Sequence, residues 1–265
     1  MINKYLEFMK IEAKEDLADR SRFFVWIISK PIIMIMQIMI WTAVFTYSNT
    51  SSIGGFSIEQ TINYFLFMQI FGNIIYNNLS EDTGEDIYSG YLSMSLLKPV
   101  NFSLSKVFGN FGGRIFSFFY ESIPTLIVGL VFFNFTIYSL PMMIVSIISL
   151  FLGLLINSFF SLCWSLIYFR MINFSPFERI KRYALTFISG YYIPIAFMPL
   201  AFQKVLKYLP FNYVFYEPSM IYFNIYSNYQ ILQVLLMQVL WIMILYLLFN
   251  ILFKKMLKKF EGVGA

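Results

Sequence analysis

Between Glu121 and Arg170 no residue carries a charge, an uninterrupted run of 48 positions, 122–169. As one helix rising ~1.5 Å per residue it would be about 72 Å long, more than twice a ~30 Å hydrocarbon layer, so it must turn back on itself. The turn falls at 134–141, where Asn134 and Pro141 bound a stretch of weaker helix formers. The whole chain has the same character: 59% of its 265 residues are hydrophobic and 12% charged, against roughly 25% charged in soluble domains. Such a chain cannot hide its apolar surface in water. The reading is an all-α integral membrane protein, a single transmembrane domain over 1–265.

Six apolar segments approach the ~20 residues a membrane helix needs. They run over about 23–47, 61–79, 114–133, 142–169, 183–203 and 231–253. Lys30 and Pro31 stand near the start of the first, where the lysine can snorkel to the interface and the proline can kink the helix. Seventeen of the 19 Lys and Arg residues then fall on one face: six up to Lys30, three from Lys98 to Arg114, four from Arg170 to Arg182 and four from Lys254 to Lys259. Only Lys204 and Lys207 fall on the other. The positive-inside rule makes that crowded face cytoplasmic and puts both termini there. No cleavable signal is expected, because the first apolar run follows 22 charged, mixed residues and is too long for a signal core.

Three parts are not simple spans. At the N-terminus Ile2, Leu6, Met9, Ala13 and Leu17 recur at helical spacing among Lys4, Lys10, Lys14, Glu7, Glu12 and Glu15. This reads as a helix on the cytoplasmic membrane surface, or one docked on another subunit. The loop after the second span carries Glu81, Asp82, Glu85 and Asp86 and then an amphipathic run broken by Gly90 and ended by Lys98 and Pro99. Its carboxylates suggest a cation site or, better, a docking surface in which Ile87, Tyr91, Leu92 and Leu96 fill a partner's groove. Finally, 194–229 is as apolar as a span yet contains Pro194, Pro199, Pro210 and Pro218. Short helices re-entering the outer leaflet reconcile these facts, with Lys204 and Lys207 at the headgroups and Glu217 nearby.

Polar residues inside spans mark where helices meet or where a path runs. Gln69, Asn73 and Asn77 recur every four residues, so on one helix they share a face, either lining a path or zipping helices together. Glu121 is the only acidic residue inside a span. It either meets a cationic cargo or pairs with Arg114 or a neighbouring helix. Asn157, Ser158, Ser161 and Ser165 mark close packing.

Covalent chemistry has little to work with. There is no histidine, and the single cysteine, Cys163, sits in an apolar run without a base, which removes His-ligated zinc, His-based triads and the usual proton relays. The basic residues flank apolar runs instead of gathering on one helix, so the net charge of +5 points to a membrane and not to nucleic acid. The chain is not expected to be an enzyme.

Two stretches carry a resemblance. Residues 87–92 (Ile-Tyr-Ser-Gly-Tyr-Leu) with 96–101 (Leu-Leu-Lys-Pro-Val-Asn), and 189–194 (Ser-Gly-Tyr-Tyr-Ile-Pro) with Pro199 and 209–211 (Leu-Pro-Phe), resemble the six-span permease subunits of type 2 ABC exporters, most closely paired bacterial export permeases. The resemblance implies a coupling helix on the ATPase, formed by Glu85, Asp86, Ile87, Ser89, Gly90, Tyr91, Leu92, Leu96, Leu97, Lys98 and Pro99. It implies a connecting helix over 2–19 and an outward gate with Gly190, Pro194, Pro199, Pro210 and Phe211. It also implies a bacterial cytoplasmic membrane location, two copies of an ABC ATPase and a second permease, identical or homologous. No G-x-x-x-x-G-K-[ST] occurs; Gly109 to Gly113 lack its Lys-Ser/Thr ending. ATP and Mg2+ are therefore expected on the separate ATPase chain, with no cofactor here. The expected function is ATP-driven export of a hydrophobic or amphipathic compound, with Gln69, Asn73, Asn77 and Glu121 as a possible path. The alternative is an ATP-independent secondary transporter or channel, against which stand the scarcity of ionisable intramembrane residues and the lack of a visible inverted repeat.

Overall fold

The computed structural model describes residues 2–18, 20–133, 135–171 and 175–258. Long runs of apolar residues give the four longest helices, two of which continue through an interior proline, Pro31 and Pro124. These are α2 (Arg20–Ser48), α6 (Phe102–Phe132), α7 (Leu140–Ser165) and α11 (Asn228–Leu257). Each contains, or with a following 3₁₀ turn completes, a segment long and apolar enough to cross a membrane: Phe24–Ser48, Phe102–Phe132, Leu140–Phe169 and Asn228–Leu257. Polar caps start two of them, and a proline stands in the first turn of a third. Asn101 accepts from the Leu104 N–H at the head of α6, Ser227 and Gln230 form a reciprocal capping box on α11, and Pro141 opens α7. Asn134, in the expected turn, lies outside the described residues.

The other two expected spans take a different form. For 61–79 the chain forms α3 (Ile58–Phe71), capped by a Ser57–Gln60 box, and then a 3₁₀ turn at Gly72–Ile75. Fourteen residues give about 21 Å of α-helix. The helix unwinds at Gly72, whose bare Cα lets the Tyr191 and Phe215 rings close in; an added Cβ would lie 2.9 Å from the Tyr191 ring. For 183–203 there is no continuous helix. α8 (Ser175–Ile188) starts earlier and stops at Gly190, where φ is +90°. There the Gly190 N–H reaches Phe187 O at 3.3 Å and the Tyr191 N–H reaches Thr186 O at 3.1 Å, the paired closing bonds of a Schellman stop. Pro194 and Pro199 then forbid resumption in register.

Between α8 and α11 the chain breaks into short pieces: a 3₁₀ turn at Ile195–Phe197, α9 (Leu200–Leu206), a 3₁₀ turn at Pro210–Tyr213 and α10 (Tyr216–Tyr222). α10 is buried along most of its length, whereas α9 exposes Leu200, Phe202 and Val205. α4 (Leu79–Tyr88) and α5 (Tyr91–Leu96) form the loop after α3, with Gly90 at φ +79° turning the chain between them.

α7 is the hub of the bundle, packing against α11, α10 and α4, while α2 lies along α6 and α3. Glycine sets the closest approaches. A Cβ on Gly153 of α7 would lie 2.6 Å from Val214 O. α1 (Ile2–Ala18) packs along α6 of its own chain. A Cβ on Gly112 would overlap the Met9 backbone, so the glycine run at 109–113 is a helix crossing. α1 is thus held against α6 of its own chain. Its inward stripe holds half-buried Tyr5, Phe8 and Met9, while Leu6 is exposed; the Ile2 and Leu17 side chains lie outside the described residues. Tyr5 packs on Phe108 and its hydroxyl accepts from the Asn101 N–H. On its open face Lys10 sits 2.7 Å from Glu7 and holds that carboxyl below its ordinary value.

Candidate functional site

At the α4–α5 end the loop residues divide into two sets. α4 turns Leu79, Ser80, Thr83, Gly84 and Ile87 inward, and Gly84 has no Cβ because the Tyr168 ring occupies that space. Leu92 of α5 is fully buried. Outside stand Tyr88, Tyr91, Met94, Leu96 and Leu97, the last 85% exposed. Ile87 and Leu92 are therefore core anchors and not groove-filling residues, because helical geometry points them at the bundle while Tyr88, Tyr91 and Met94 point away. Ser89, Lys98 and Pro99 are exposed too, and Lys98 Nζ lies over the Phe8 and Tyr91 rings. The carboxylates are parted among cations: Asp86 lies 2.6 Å from Lys106 and Glu81 3.5 Å from Arg182, while Glu85 is exposed.

A polar chain crosses the interior. Lys30 Nζ lies 3.2 Å from Glu121 Oε2 and donates to Asn73 Oδ1 at 2.8 Å. Asn73 Nδ2 donates to the Gln69 carbonyl, and Gln69 Nε2 to Gln37 Oε1 at 2.9 Å. The Tyr191 hydroxyl donates to Gln69 Oε1 at 3.2 Å. This corrects two expectations. Lys30 does not snorkel, because Glu121 and Asn73 satisfy its ammonium inside the bundle. Asn77 does not share the Gln69–Asn73 face, because the helix has ended; its side chain closes a local turn by accepting from the Leu79 N–H. Glu121 pairs with a neighbouring helix, through a lysine 91 positions away in sequence. Lys30 and Gln37, seven apart and so on one face of α2, were the visible signal of that partner.

A second polar group lies between α4, α7 and α8. The Ser80 hydroxyl donates to Glu178 Oε2 at 2.8 Å and accepts from Lys181 Nζ, which lies 2.7 Å from the same carboxylate oxygen. Burial pushes the Lys181 ammonium below its ordinary value and Glu178 pulls it back. Glu178 and Lys181 line a cavity together with Tyr76, Asn77, Asn78 and Asn157 and with Arg182, Thr186 and Phe215. Ser161 lines it as well, and Asn157 donates to Ile75 O, so of the four polar α7 residues two face this cavity. Ser158 accepts from Asn110, and Ser165 bonds back to Leu162 O. In the sequence, the charges from Arg170 to Arg182 indicate only the orientation of the chain.

The far end is closed by aromatic rings. Phe56, Tyr64, Phe197 and Phe223 meet in edge-to-face and stacked pairs with centroids 5.8–6.4 Å apart. Tyr222 stacks on Phe67 at 4.4 Å, and the Tyr64 hydroxyl donates to Gly190 O at 2.5 Å. Of the expected gate residues, Gly190 thus meets α3. Pro194 and Pro199 start the short helical pieces, Pro210 is buried at the head of a 3₁₀ turn, and Phe211 packs edge-on against Phe160. Glu217 lies within electrostatic reach of Lys207. It is buried and accepts from Asn212 Nδ2 at 2.6 Å and the Tyr226 hydroxyl at 2.7 Å.

A search of curated proteins returned no match. The family model described as ABC-2 family transporter protein matches residues 32–264, from within α2 through α11. An all-helical, multi-pass membrane chain matched over most of its length in this way is a member of the ABC-2 transporter family.

Proposed function

We propose that the chain is the permease subunit of an ATP-driven exporter, moving a hydrophobic or amphipathic compound outward, with ATP and Mg2+ bound by a separate ATPase. The observation that carries this reading is the exposed apolar face of Tyr88, Tyr91, Met94 and Leu97 on two short helices whose other faces are fastened into the core. Membership of the ABC-2 family supports it, since such permeases generally work with an ATPase.

A push on α5 would travel along definite contacts. Leu92 and Ile87 belong to the main core, Gly84 abuts Tyr168 at the end of α7, and Glu81 and Ser80 contact Arg182, Glu178 and Lys181 of α8. α8 ends at Gly190, which holds Tyr64 in the aromatic closure, and at Tyr191, which bonds the intramembrane chain. One helix therefore joins the docking end to the closed end, which suits alternating access driven by tilting packed helices. In this reading the α4–α5 end and both termini are cytoplasmic, the chain sits in a bacterial cytoplasmic membrane, and two permeases pair over two ATPases.

The test is co-purification of the tagged chain from mild detergent. A stoichiometric ATPase that is lost when Met94 and Leu97 become glutamate supports the reading; a clean chain with no ATPase moves it to a stand-alone carrier. One observation favours that second reading: the buried Lys30–Glu121 pair is the kind of intramembrane charge an ion-coupled carrier uses. Uptake driven by a proton gradient in vesicles lacking any ATPase would establish it.

A further inference from the structure

α9 stands apart from the bundle. Leu206 is its one buried residue, and that side chain belongs to a small cluster with Ile195 and Met198, separate from the main core. Gln203 clips the helix to the segment before it, its Nε2 donating to Ala196 O at 3.2 Å and to Met198 O at 2.7 Å. That segment lies at the end opposite α4 and α5, where a Cβ on Gly54, in the connection from α2 to α3, would meet Ala196 O at 2.5 Å. Leu200, Phe202, Val205 and Tyr208 are left exposed. So much bare hydrocarbon on so short a helix marks a surface that lipid or another protein covers.

The placing of charge on the helix decides between the two. At ~100° per residue, Gln203 and Leu206 face the segment beneath, Lys204 and Lys207 share one flank, and Phe202 and Val205 share the other, about 160° round from the lysines. A helix seated along one side, with cations on one flank and apolar side chains on the opposite one, has the layout of a helix lying along a membrane–water boundary. Both lysines are exposed, and neither has a salt bridge among the described residues. Glu217, a carboxylate within reach of Lys207, is buried and already held by Asn212 and Tyr226. These are also the two of the chain's 19 Lys and Arg residues that the sequence puts on this face. Cations are sparse on a translocated face, so a pair kept there without a protein anion points to an anion outside the protein. The phosphate of an acidic lipid fits, because its head and its chains match the two flanks at once. A second copy of the chain, paired across a two-fold axis through α9, would instead bring like charges together.

We propose that α9 lies along the membrane surface at the end opposite α4 and α5 and binds the headgroups of acidic phospholipids through Lys204 and Lys207, with Phe202 and Val205 among the acyl chains. The site lies within one chain and needs neither an ATPase nor a cargo, so it stands or falls separately from the export reading.

The full-length chain carrying Phe202→Trp is placed in bilayer discs of phosphatidylcholine and phosphatidylglycerol, with bromine on the acyl chains of one lipid at a time. Quenching of the added indole is read as the difference from the unaltered chain, whose own four Trp residues supply the background. Association with the acidic lipid over the choline lipid, at equal mole fraction, should be favoured at least about fivefold, the effect of one lysine near an acidic surface. Lys204→Gln and Lys207→Gln should each lower that preference, and together abolish it at unchanged helix content, whereas Lys204→Arg with Lys207→Arg should keep it. It should also fade in 1 M salt, where the screening length falls to ~3 Å. Should Phe202→Trp fail to fold, Val205→Trp and Tyr208→Trp report on the same helix. Inorganic phosphate at constant ionic strength should leave the preference intact; its loss would assign the lysines to a soluble anion and overturn the lipid assignment. Equal quenching by the two lipids, a preference untouched by the double glutamine variant, or no quenching at any of the three positions, as when another chain covers α9, would each overturn the proposal.

Discussion

Lys30 on α2 and Glu121 on α6 form an ion pair at 3.2 Å, with side chains 14% and 7% exposed. Breaking a buried pair by removing one partner leaves an uncompensated charge and costs about 3–5 kcal/mol, whereas replacing both with apolar residues of similar size is near neutral. Lys30→Met and Glu121→Leu should each lower the thermal unfolding midpoint in detergent. The double variant should recover most of the loss. A double variant no better than the worse single one would mean that Asn73, and not Glu121, is the partner that matters to Lys30.

The two faces of α5 separate docking from folding. Leu97 is 85% exposed and Met94 63%, while Leu92 is 0% exposed. A charge at an exposed position changes stability by no more than about 0.5 kcal/mol, so Met94→Glu and Leu97→Glu should leave unfolding unchanged and abolish ATPase co-purification. Leu92→Glu buries a charge and should prevent folded protein from accumulating at all. If all three behave alike, α5 is a packing element and the docking surface lies elsewhere.

How much of this was legible in the sequence depended on range. Apolar length alone gave α2, α6, α7 and α11 to within a few residues at most ends, and Gly90 marked the break between α4 and α5. α6 starts twelve positions before Arg114, because its first turns are bound by α1, whose glycine-lined seat looks in sequence only like a failed phosphate loop. The stops at Gly72 and Gly190 were missed because hydropathy does not distinguish a helix from an equally apolar turn. Periodicity found Gln69 and Asn73 but continued the helix on to Asn77. Partners such as Lys30 for Glu121, or Glu178 for Ser80, lie 91 and 98 positions apart, beyond the reach of any local pattern.

The crossing of α1 over α6 turns on Gly112, where an added Cβ would overlap the Met9 backbone, while at Gly109 it would meet only the flexible Glu12 side chain at 3.1 Å. Backbone cannot move aside as a side-chain end can. Gly112→Ala should therefore detach α1 and Gly109→Ala should not. Limited proteolysis checks this: faster cleavage within 2–18 in the Gly112 variant alone, with the rest of the chain intact. Equal cleavage in both variants would locate the grip of α1 in Tyr5 and Phe8 instead.

Gln238 of α11 is wholly buried and holds three elements at once. Its Nε2 donates to Ser149 O at 2.9 Å and to Tyr213 O at 2.8 Å, and its Oε1 accepts from the Ser149 hydroxyl at 3.0 Å. Gln238→Leu keeps the volume but strands the Ser149 hydroxyl and the Tyr213 carbonyl, at about 1–3 kcal/mol each for an unsatisfied buried polar group. Gln238→Leu should lower the unfolding midpoint clearly, and pairing it with Ser149→Ala should restore only part, because the Tyr213 carbonyl still lacks its donor. Full restoration by Ser149→Ala would show that the Tyr213 carbonyl finds another donor, and would free the 3₁₀ turn at Pro210–Tyr213 from dependence on α11.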